Sequence, residues 1–103
     1  MRITTESALV NKGREILESH FGDVQKTPGY LGWRMHETVD FLPHQTSILL
    51  LVKVEGDTPY KDVAEHIEKI EDVAYAEFAD LDIPQELEGK VNIFIFMDFE
   101  EET

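Results

Sequence analysis

Residues 46–54 read TSILLLVKV and residues 90–99 read KVNIFIFMDF. Both stretches are built from β-branched, aromatic and aliphatic residues, the types that fit a pleated surface. Both are apolar at both parities: Ile48, Leu50 and Val52 alternate with Leu49 and Leu51, and Val91, Ile93 and Ile95 alternate with Phe94 and Phe96. A strand with one wet face alternates strictly, so strands apolar on both sides belong at the centre of a sheet. These two segments are therefore expected to be central neighbours, and the rest of the chain is arranged around them.

Upstream, Leu31, Trp33, Met35, Val39 and Phe41 alternate with Tyr30, Gly32, Arg34, His36, Thr38 and Asp40. This pattern predicts a half-buried strand over 30–41, entered after Thr27-Pro28-Gly29 and broken by Leu42-Pro43-His44-Gln45. With 46–54 it would form an antiparallel hairpin. Further upstream, Leu9, Ile16, Leu17 and Phe21 share one helical face over 5–21, with Glu6 at the N-terminal end and Gly22 placed for a left-handed C-cap. Gly13 falls on the same stripe, where a glycine costs roughly 1 kcal/mol against alanine unless the backbone must approach a neighbour.

Downstream, Thr58 and Pro59 have the chemistry of an N-cap and a first helical residue. The apolar stripe Tyr60, Val63, Ala64, Ile67 and Ile70 carries a second helix to about Glu71, with Glu65 and Lys69 spaced for an ion pair. Val73, Tyr75 and Phe78 are β formers, and 73–79 is read as a strand. Ile83-Pro84 and Gly89 bracket a loop with room for one helical turn near Gln85–Glu88, and residues 100–103 form a frayed acidic tail.

The expected architecture is α+β, a two-layer sandwich in the order αββαββ. It has a mainly antiparallel four-stranded sheet with two helices on one face, a ferredoxin-like arrangement with its first strand moved to the end. One domain over 1–103 is expected, because a chain of this length supports one ordinary core. The run helix, strand, strand, helix, strand is similar in element order to the cytosolic domains of cation-efflux transporters, although no metal-binding motif of theirs aligns with these residues. One fold hosts many roles, so the likeness implies no function.

Charge separates the chain into halves. Through Val54 there are six acids and six bases, whereas from Glu55 onward sixteen acids face only Lys61, Lys69 and Lys90, which accounts for the whole net charge of −13. Such a localised field attracts cations or basic protein surfaces and repels phosphate backbones, so no direct nucleic-acid binding is expected. No apolar run is longer than Ile48–Val52, which is far short of the roughly 20 residues that span a bilayer. With no cysteine and no basic-then-apolar start, a cytoplasmic protein is expected.

No nucleophile elbow, phosphate loop or zinc-protease motif occurs in the sequence. Asp62 and His66 are spaced for two ligands on one helical face, and His36 with Asp40 would share a strand face. Asp80-Leu81-Asp82 opens like a calcium loop, but Pro84 and Gln85 stand where an oxygen ligand and a glycine are required. No cofactor is expected.

The function expected is that of a small non-enzymatic protein-binding module, an inhibitor or adaptor. It would present its acidic half, with Glu65, Glu68, Glu71, Glu86 and Glu88 as contacts, to a basic partner in a way that mimics nucleic-acid charge. Tyr30 and Arg34 are further contact candidates, and a homodimer is expected through the sheet face that the helices leave open. The alternative is a cation- or small-ligand-responsive regulatory domain using Asp62 and His66 or the Asp80–Glu88 loop. Phe94 and Phe96 resemble base-stacking aromatics, but no Lys/Arg support is visible around them in the sequence.

Overall fold

The computed structural model describes residues 2–22 and 29–100, so Thr27 and Pro28 of the expected turn, and the tail beyond Glu100, lie outside the described residues. Five principal elements follow one another: α1 (Glu6–Phe21), β1 (Tyr30–Thr38), β2 (Thr46–Glu55), α2 (Tyr60–Ala79) and β3 (Val91–Glu100), with a short 3-10 turn at Gln85–Leu87. The chain is α+β, but its order is αββαβ and its sheet is three-stranded and mixed, β1-β2-β3. The expected four-stranded, mainly antiparallel sheet is not formed.

The missing strand is the end of α2. Residues 73–79 stay helical because the apolar stripe of Val63, Ile67 and Ile70 continues to Ala74 and Phe78 at helical spacing, and no glycine or proline interrupts it. Val73, one of the β formers that pointed to a strand, is 54 % exposed, whereas Ala74 is fully buried. Local β propensity lost to the register of the buried stripe. The helix starts at Tyr60 with Pro59 as its cap residue, whose carbonyl accepts the Asp62 N–H at 3.2 Å without any side-chain cap bond, and Thr58 instead packs against Gly29, where an added Cβ would overlap its side chain. Glu65 and Lys69 are both exposed and form no ion pair among the described residues.

Because α2 returns the chain to the end where β2 began, β3 enters parallel to β2, with Ile48 opposite Ile93 and Leu50 opposite Ile95. β1 pairs antiparallel on the other side of β2, with a register shift between Tyr30 and Gly32. The pairing of 46–55 with 91–100 is as their composition demands, but only β2 is central and β3 is an edge.

Both helices lie on one face. Ile48, Leu50, Val52, Val54, Val91, Ile93 and Ile95 from the sheet meet Leu9, Ile16, Leu17, Phe21, Val63, Ile67 and Ala74 from the helices. Thr5 caps α1 by accepting the Ala8 N–H at 3.1 Å. At its other end Gly22 is right-handed, φ −58°, and not the left-handed cap its type allows. Gly13 faces the sheet, where a Cβ would stand 2.8 Å from Ile48 Cδ1 and 3.2 Å from Phe78. The glycine lets α1 come down onto the sheet.

Candidate functional site

The face of the sheet away from the helices has the most unusual composition, and strand register defines it. Cross-strand rows run Thr38–Ser47–Asn92, His36–Leu49–Phe94, Arg34–Leu51–Phe96 and Gly32–Lys53–Asp98. Leu49, Leu51, Phe94 and Phe96 form an apolar centre. Arg34 and His36 stand exposed at the β1 margin, and Asp98 stands exposed at the β3 margin.

The expected strand 30–41 ends early, and its last residues supply part of this face. The chain leaves β1 at Thr38, whose Oγ1 accepts the Asp40 N–H at 3.1 Å, and it rejoins the sheet after His44, which holds φ +61°. Between them Phe41 folds back over β3. Its ring meets Phe94 edge-on at 5.1 Å and Phe96 at 6.2 Å, while Phe94 and Phe96 lie nearly parallel at 6.5 Å. Such offsets suit the ring quadrupole. Phe41 remains 46 % exposed and Phe96 40 %, so the described residues do not close the patch. Asp40 has left the strand, and the pairing of His36 with Asp40 on one strand face does not occur.

The acidic candidates occupy the opposite layer. Glu65 and Glu68 are exposed on the outer surface of α2, and Glu86 and Glu88 are exposed around the 3-10 turn. Glu71 is half-buried, and burial first, then repulsion from Glu68 and Asp72, raises its carboxyl above the usual range. These acids are close enough to repel one another. Among the described residues, Glu77 pairs with His20 of α1 at 2.5 Å and Asp82 with Arg2 at 3.7 Å.

Tyr30 and Arg34 are not brought together. The register shift sets Tyr30 opposite Val54, on the helix side, where burial raises its phenol and its hydroxyl meets no partner among the described residues. Arg34 remains on the open face. Asp62 and His66 are both exposed on α2, and among the described residues no group of three or more potential ligands converges.

Lys53, Asp98 and Phe41 belong to the open face, and the sequence reading did not place them there. Alternation alone sets Lys53 with Leu49 and Leu51 and Asp98 with Phe94 and Phe96, while only the parallel register sets Lys53 beside Asp98, and Phe41 is reached only through the turn that ends β1. No protein family, curated protein or solved structure matches this chain.

Proposed function

We propose that this chain is a non-enzymatic, cytoplasmic protein-binding module of the inhibitor or adaptor type, which presents its acidic C-terminal half to a basic surface on another protein. The observation that supports it is the crowding of Glu68, Glu71 and Asp72, beside exposed Glu65, on one layer of the fold. An acidic surface with few cations of its own raises the encounter rate with a basic partner and presents that partner with charge resembling a phosphate backbone. Glu86 and Glu88 extend the same surface beyond the helix. On the other layer, the open sheet face is left for self-association.

The test is affinity capture from the native lysate at low and high salt, with the wild type beside a variant in which Glu65, Glu68, Glu71, Glu86 and Glu88 are all glutamine. A basic partner that is captured by the wild type, released by salt and lost by the variant is the expected result. A partner held equally by both proteins would overturn the reading.

A further inference from the structure

The open sheet face has two unlike margins. Over β3, Phe41 sits on Phe94 and Phe96 and raises a ridge, with Asp98 beside it. Over β1 the surface dips at Gly32, which has no side chain and where an added Cβ would meet nothing within 4 Å. The same margin carries exposed Arg34 and His36, and Arg34 has no ion-pair partner among the described residues. One margin is therefore raised and bears a carboxylate, and the other bears a guanidinium beside a dip.

A surface whose two sides complement each other in charge is suited to an isologous contact, in which the same patch serves both partners. We infer that a second copy of this chain closes the face, related by a two-fold axis parallel to the strands, so that each β1 lies over the partner's β3. The ridge of each copy then meets Arg34 and His36 of the other, and the dip at Gly32 lies opposite Asp98. Arg34 comes over the partner's Phe41 and Phe96 and within reach of the partner's Asp98, combining a cation–π contact with an opposite-charge pair. An axis across the strands would instead lay ridge on ridge and bring Arg34 and His36 of the two copies together.

The high net charge does not oppose this arrangement. Sheets packed face to face stand roughly 10 Å apart. The acidic helix layers are then on the outside, separated by both sheets and by more than a screening length of roughly 8 Å at physiological salt. The inference rests on the binding-module reading only in assigning the acidic layer to other contacts.

Charge reversal tests the geometry. In sedimentation equilibrium the wild type is expected to dimerise, and Arg34→Glu and Asp98→Arg are each expected to weaken dimerisation by roughly a hundredfold, because like charges then meet twice across the axis. An equimolar mixture of the two variants should recover a heterodimer to within about tenfold of wild-type affinity, since both of its pairs are again opposite in sign. That recovery would also show that each variant is folded. A monomeric wild type, single reversals without effect, or a mixture that stays monomeric would each overturn the proposal. Tight binding of a labelled oligothymidylate to a monomeric wild type would overturn it in favour of a stacking platform. The five-glutamine variant should dimerise normally even if it captures no partner, and its failure to do so would place the acidic layer in the contact and overturn the axis.

Discussion

Glu71 shows how one side chain reports the character of its layer. Burial, Glu68 and Asp72 all raise its carboxyl, so the folded protein binds its proton more tightly than the unfolded chain does. Stability must then fall as pH rises from the ordinary glutamate range, near 4.3 in an unfolded chain, through the raised folded value. At neutral pH the full penalty is present, and below about pH 4 it is absent. Glu71→Gln is therefore expected to raise the denaturation midpoint at neutral pH and to leave it almost unchanged near pH 4, as read by urea titration at the two pH values. The half-buried position was legible from Ile67 and Ile70 beside it, but the proton affinity depends on neighbours that only a folded helix brings within range. Tyr30 was less legible. Alternation gave it the parity of Arg34, and the register shift at Gly32 removed it to the core.

At the scale of elements, the instructive error is 73–79. Val73, Tyr75 and Phe78 are good strand residues, but a helix whose stripe is already buried extends as long as the stripe continues, and Ala74 and Phe78 continue it. Tyr75 then takes a different role. Thr46 donates its N–H to Lys90, so even-numbered residues of β3 bond to β2 and odd-numbered ones face the open edge. At that edge the Ile95 N–H is satisfied by the Tyr75 hydroxyl, which accepts it at 3.2 Å. A helix side chain thus does at one point what a fourth strand would have done along the edge. Tyr75→Phe is expected to cost about 1 kcal/mol and to speed exchange of the Ile95 amide selectively. Unchanged exchange at Ile95 would mean that the hydroxyl does not hold this donor.

For the whole molecule, the relevant quantity is where the net charge of −13 resides. Self-repulsion within the acidic layer opposes folding, and salt weakens it: the screening length falls from roughly 30 Å at 0.01 M to roughly 3 Å at 1 M. Over that range the wild type is expected to gain about 1 kcal/mol, read as a Tm rise of roughly 4–8 °C. The five-glutamine variant should show a much flatter dependence.

The sequence alone carries the α+β class, both helix starts to within a residue or two, the adjacency of 46–54 and 90–99, and the charge division, because each follows from local periodicity or composition. It did not determine strand number, the parallel pairing, or which side chains share the open face. Those depend on where α2 stops and on how the shift at Gly32 and the turn at 39–44 set register and cover. A single residue of register moves a side chain to the other face of a sheet, and a helix's end is decided by what its last turn packs against. Both are properties of the assembled core, so only the tertiary structure set Arg34, Phe41, Phe96 and Asp98 on one face.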